Sequence, residues 1–158
     1  LRFALLCLSL LTTGDKPMGL DMYAYAAKTV EPHPEDSTAI VLGYIDPISD
    51  EYVYFDEESP IEFAYWRKFN ALHGWMENLY HSKGGKEEFN CKKLPLTLED
   101  LEALKAVCKK KELTPTEGFF FGSQAPVDKE AYDNVLQFIK KAKQHISNGY
   151  TVCYDSWW

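Results

Sequence analysis

Trp66, Arg67, Asn70, His73 and Gly74 crowd one short stretch, and their types are those of a binding surface more than of a scaffold. A guanidinium beside an indole suits an anionic or planar ligand, through paired N–H donors and stacking. Asn70 and His73 add neutral donors and acceptors. Ligand binding is therefore assigned to Trp66, Arg67, Asn70 and His73, with Phe121, Gly122, Ser123 and Trp157 around them. The structural alternative makes Trp66 part of the core and pairs Arg67 with one of the chain's many acids. For catalysis the candidates are His73 as general base and Asp21 as the carboxylate that orients it, the arrangement of a small hydrolase. That alternative requires the start of the first strand to lie beside the element carrying His73. His73, Glu77 and His81 also recur at a spacing that puts them along one side of a helix, where they could present three ligands to zinc or iron. A core-edge His73 bonded to a neighbour is the simpler account, and no metal or other cofactor is assigned.

Two further segments bear on chemistry. Gly118-Phe-Phe-Phe-Gly122 carries neither a phosphate-loop pattern nor a dinucleotide fingerprint, and Ser123 lacks the glycine spacing of a nucleophile elbow. Its glycines suit tight turns at the ends of a short apolar strand. The tail, Tyr154-Asp-Ser-Trp-Trp158, ends in two tryptophans that strand alternation sends to opposite faces. One can pack on the core while the other meets a partner, and Trp75, Tyr23 and Tyr25 extend that surface.

These residues must be positioned by the elements that the pattern predicts. Residues 20–25 alternate in a strand-like way. Residues 31–37 form a loop, whose two prolines forbid a central strand. Residues 39–45 and 51–55 form a hairpin around 46–50. A first helix is predicted over residues 61–80. At about 100° per residue it puts Tyr65, Phe69, Leu72, Met76, Leu79 and Tyr80 on one apolar arc, bordered by Trp66, Arg67, Asn70, His73 and Glu77. Thr97 caps a second helix that buries Leu98, Leu101, Leu104 and Cys108. Asp128 caps a third, to about Ser147, with Tyr132, Val135, Leu136, Ile139, Ala142 and Ile146 inward. A final strand runs over residues 150–157. An early hairpin and no regular strand–helix alternation predict an α+β fold, a small mostly antiparallel sheet packed against about three helices.

At 158 residues the chain suits one domain with a core of its own. Its aromatic content of 15% argues against disorder. A net charge of −7 disfavours direct nucleic-acid binding, which needs a basic footprint. The same acidity permits an inhibitor that mimics nucleic acid, a third functional reading. Cys7, Cys91, Cys108 and Cys153 form no metal-knuckle spacing and are expected as free thiols in a reducing cytoplasm. Residues 3–11 are too short an apolar run to span a bilayer and resemble the core of a signal peptide, but no small-x-small cleavage site follows. Residues 1–17 are thus expected to be an extension ahead of a start at Met18, with one domain over 18–158. Secretion would follow only if that segment were a genuine signal.

Met18-Gly-Leu-Asp-Met-Tyr23, the Ala64-Tyr-Trp-Arg-Lys68 and Leu72-His-Gly74 blocks, Gly118-Phe-Phe-Phe-Gly122 and the closing Tyr154-Asp-Ser-Trp157 occur in this order. Together they resemble a family of small bacterial and phage proteins to which no activity is assigned. The resemblance covers Met18 to the C-terminus and implies a start at Met18; it implies no cofactor or catalytic residue. Phe69 stands where that family carries a polar residue or His, which weakens a ligand role there. The expectation is a cytoplasmic binding or interaction module for a host protein or a small anionic ligand, without a membrane span.

Overall fold

The computed structural model describes residues 19–31, 43–56, 58–117 and 126–158. The extension at 1–17, most of the loop at 31–37, the start of the strand at 39–45 and the Gly118–Gly122 strand lie outside them. So do the three site residues Phe121, Gly122 and Ser123.

The strands are β1 (Asp21–Ala27), β2 (Thr29–Val30), β3 (Gly43–Ile45), β4 (Tyr52–Phe55), β5 (Ile61–Arg67), β6 (Leu94–Leu96) and β7 (Thr151–Trp157). The helices are α1 (Asn70–Ser82), α2 (Leu98–Lys110) and α3 (Lys129–Ser147). A four-stranded antiparallel sheet runs β5-β1-β7-β6, and a three-stranded one runs β2-β4-β3. This is an α+β domain, as the sequence predicts.

Alternation sets its layers. Met22, Ala24 and Ala26 of β1 and Val152, Tyr154 and Ser156 of β7 are all buried, on the inner face of the larger sheet. All three described helices contribute to the core beneath that face: Leu72, Met76 and Tyr80 from α1, Leu101, Leu104 and Cys108 from α2, and Tyr132, Val135, Phe138, Ile139 and Ala142 from α3. The smaller sheet packs on the opposite, outer face. There Phe55 buries against Ala27 and Cys153, with Tyr25 and Tyr44 beside them.

The local signals for α2 and α3 hold. Thr97 and Asp100 form a reciprocal capping box, and the Asp128 carboxylate accepts from the Ala131 amide. Leu98 departs from expectation, since it is exposed; Phe138 is buried without having been foreseen. Asp46 shapes the β3–β4 turn, its carboxylate accepting from the amides of Ile48 and Ser49 at 2.8 and 2.9 Å. Strands β2 and β6 were not anticipated; Pro95 is tolerated in β6 because that strand is an edge.

The helix predicted from residue 61 is the main correction. Residues 61–67 are strand β5, hydrogen-bonded to β1, and α1 begins only at Asn70. Phe63, Tyr65 and Trp66 favour a pleated, half-buried surface, and pairing with β1 decides between the two periods. Lys68, at φ 54°, breaks the strand, and its amide donates to the carbonyl of Leu20. The chain therefore turns between Arg67 and Asn70, and the stretch expected on one helix is divided between two elements.

Candidate functional site

The register of β1 builds the site. Asp21 lies opposite Arg67 on β5 and opposite Trp157 on β7, and residues directly opposite share a face. Arg67, Asp21 and Trp157 thus form a row across three strands on the outer face. Two residues along, Tyr65, Tyr23 and Asp155 form a second row on that face. The row between them, Trp66, Met22 and Ser156, points inward and is buried.

Asp21 is the hub of the outer cluster. Its Oδ1 accepts from the Tyr65 hydroxyl at 2.6 Å and faces Arg67 Nη1 at 3.4 Å. Its side chain is only 13% exposed against 57% for Arg67, so the carboxylate is covered while the guanidinium reaches solvent. The hydrogen bond to Asp21 is the main reason why the Tyr65 hydroxyl titrates above its usual range. The Tyr23 and Tyr65 rings lie 5.3 Å apart, and burial, then the Asp21 charge, pushes Tyr23 up to about 12. Both phenols stay protonated at neutral pH and remain hydrogen-bond donors.

The expected ligand set does not come together. Trp66 is core: its indole N–H donates to Asn134 at 2.6 Å and its ring meets Phe138 edge-to-face at 5.0 Å. Asn70 is buried at the start of α1. His73 is 1% exposed, stacks on Phe89 at 5.3 Å, and is hydrogen-bonded through Nδ1 to the Tyr154 hydroxyl at 2.8 Å. Burial holds the His73 ring down to about 4 and the Tyr154 phenol well above its usual range, so both are neutral at pH 7. Of the predicted ligand residues described, Arg67 and Trp157 reach the outer face with Asp21; Trp66, Asn70 and His73 go inward.

The catalytic pair is not assembled either. Asp21 is bonded to Tyr65 and Arg67 on the outer face, and His73 to Tyr154 beneath the inner one. The His73, Glu77 and His81 stripe does not converge on a point. Each four-residue step advances a helix by about 40°, so His81 is turned about 80° from His73. His81 instead meets the Gly85 carbonyl oxygen through Nδ1 and faces Glu77 at 3.9 Å. Among the described residues, no group of three or more His, Cys, Asp or Glu is placed to hold a metal.

Three aromatic residues named for the partner surface are otherwise engaged. Tyr25 packs under the smaller sheet and Trp75 against the main core. Trp158 is latched by Asn90 through both its backbone groups, and its indole N–H donates to the Phe89 carbonyl. Tyr65 was missed as a site residue, and Tyr154 as the partner of His73. Reading residues 63–67 with period two exposes the first, because Tyr65 then shares a face with Arg67.

Beside Arg67 lies a recess of about 360 Å3, lined by Trp66, Arg67, Lys68, Asp128, Glu130 and Asn134 among others. Its two cations are matched by two carboxylates, so it offers no net charge to an anion. Comparison with protein-family models, with curated proteins and with solved structures finds no match to this chain. Fold and site together define an α+β domain that displays an aromatic, charged patch on the outer face of its main sheet. No helix among the described residues is long and apolar enough to cross a membrane.

Proposed function

We propose that the protein is a cytoplasmic interaction module that binds a host protein on the outer face of its larger sheet. One observation carries this reading: Tyr23, Tyr65, Arg67 and Trp157 share that face around Asp21, beyond the end on which the smaller sheet packs. Tyr, Trp and Arg are the residues that dominate binding energy at protein interfaces, because they bury large areas and still present directional donors. Asp21 and the paired tyrosines hold Arg67 and one another in place, which lowers the ordering cost of association. Cys91, Cys108 and Cys153 are free thiols, in keeping with a reducing compartment. A hydrolase built on Asp21 and His73 has no support from their placement.

The test is affinity capture from host lysate with wild type and with Tyr65→Ala/Arg67→Ala, followed by calorimetry on the isolated partner. The expected outcome is a species retained by wild type and bound at least ten-fold more weakly by the variant, at equal melting temperature. Equal binding by both proteins would overturn the assignment.

A further inference from the structure

A described cleft that meets the outer face only through the Lys93–Asp155 pair has two chemically different walls. One is the β3–β4 hairpin, which contributes Gly43, Tyr44, Ile45, Pro47 and Ile48, with Asp50 at its end. The other is the end of α1 and the loop after it, contributing Tyr80, Lys83, Lys86, Lys92 and Lys93 together with Glu87 and Cys91. The walls enclose about 620 Å3, within the roughly 300–1,000 Å3 range of small-molecule sites. They meet at Gly84, where an added Cβ would lie 2.6 Å from the Pro47 carbonyl oxygen. Gly84 (φ 105°) therefore both turns the chain and lets the hairpin approach.

The charges on the second wall are not equivalent. Lys83 is committed to the scaffold: it donates to the Pro95 carbonyl at 2.9 Å and pairs closely with Asp100, the residue that completes the α2 capping box. Lys92 pairs with Glu87, whose side chain is largely exposed, and Lys93 reaches Asp155 at 3.6 Å. Lys86 is paired with no carboxylate among the described residues. A lysine at the end of α1 also complements the helix dipole, and that alone explains Lys83. It does not explain Lys86, Lys92 and Lys93, which lie beyond the helix and still face the same cleft. An acidic chain, with 24 carboxylate residues against 17 Lys and Arg, thus sets four lysines across from an apolar wall. On that wall Ile48 is 77% exposed and Ile45 55%, an arrangement that water disfavours and a bound apolar body would relieve.

We propose that this cleft binds a small organic anion with a flat apolar body, its phosphate or carboxylate held by Lys86 and Lys92, with Lys93 kept beside them by Asp155, and its body lying against Tyr44, Ile45 and Ile48. Lys92 exchanges its exposed Glu87 partner for the ligand, while Lys86 contributes its charge directly. The apolar wall gives selectivity over inorganic anions, and the lysine wall over neutral aromatics.

The experiment is calorimetric titration of the full chain with 1-naphthyl phosphate, inorganic phosphate and 1-naphthol. Naphthyl phosphate is expected to bind at least ten-fold more tightly than either fragment, with an affinity that falls as salt rises. Lys86→Glu/Lys92→Glu should weaken it at least ten-fold at unchanged melting temperature, and Ile48→Ser should weaken it without altering binding of inorganic phosphate. Tyr65→Ala/Arg67→Ala should bind naphthyl phosphate like wild type, which separates this site from the outer face. No binding of naphthyl phosphate at millimolar concentration, equal binding of inorganic phosphate, or indifference to the lysine substitutions would overturn the proposal.

Discussion

The two faces of the main sheet treat polar side chains in opposite ways. Beneath the inner face, His73 and Tyr154 are neutral, desolvated and bonded to each other, with Phe89 stacked within 6 Å of both rings. On the outer face, Asp21 keeps its carboxylate covered while Arg67 and Tyr65 extend from it into solvent. A buried polar pair is costly to break, because the surviving partner stays desolvated. An exposed ion pair contributes little to stability, because water and salt compete for it. Of these polar groups, the inner pair therefore contributes more to stability than the outer cluster, which can be altered at small cost.

The largest effect expected from breaking this contrast is His73→Ala. It removes a ring packed on Phe89 and takes the histidine partner from the Tyr154 hydroxyl, and should cost about 2–4 kcal/mol in denaturant unfolding. A loss under about 1 kcal/mol would show that the inner pair is not a stability element.

Acid comes next. The folded His73 value of about 4 lies below the ordinary 6.5, so between those values the unfolded chain binds the extra proton. Stability contributed by neutral His73 is complete above pH 6.5 and falls by about 1.4 kcal/mol per unit as pH drops toward 4. Asp155, raised by burial, has the opposite sign: the folded state protonates first, which favours folding as pH falls. Comparing wild type with His73→Ala isolates the histidine, and the variant should lose the slope between pH 6.5 and 4. Parallel pH profiles for the two proteins would contradict the assignment.

Tyr154→Phe is milder, about 1–2 kcal/mol, since it takes the phenol partner from buried His73 but keeps the ring stacked on Phe89. A cost as large as that of His73→Ala would mean that the hydroxyl, more than the packing, secures the inner pair. The smallest change belongs to the outer face. Arg67→Ala should alter unfolding by less than about 0.5 kcal/mol, because the guanidinium end of its ion pair is exposed and Tyr65 still bonds Asp21. A shift above about 1.5 kcal/mol would make Arg67 a scaffold residue and erase the contrast.

How much of this was legible in the sequence depends on which signals were local. Thr97 with Asp100, and Asp128, marked the starts of α2 and α3 because a cap is a contact between near neighbours. Alternation in β1 and β7 separated inner from outer residues, and so sent Trp157 and Trp158 apart. Residues 61–67 were misread because Tyr65 and Phe69, four apart, also satisfy a helical arc. Only pairing with β1, far away in sequence, chooses the strand. That single choice moved Arg67 to the outer face and left Asn70 and His73 on a helix beneath the inner one. The lysine-walled cleft was equally illegible, since it depends on the hairpin folding back onto Gly84.

The most direct measurement is the affinity of the captured partner for Arg67→Ala, taken with the denaturation midpoint of the same preparation. The account predicts at least a ten-fold loss of affinity at an unchanged midpoint. Undiminished affinity, or a loss matched by a fallen midpoint, would contradict a recognition role for the outer face.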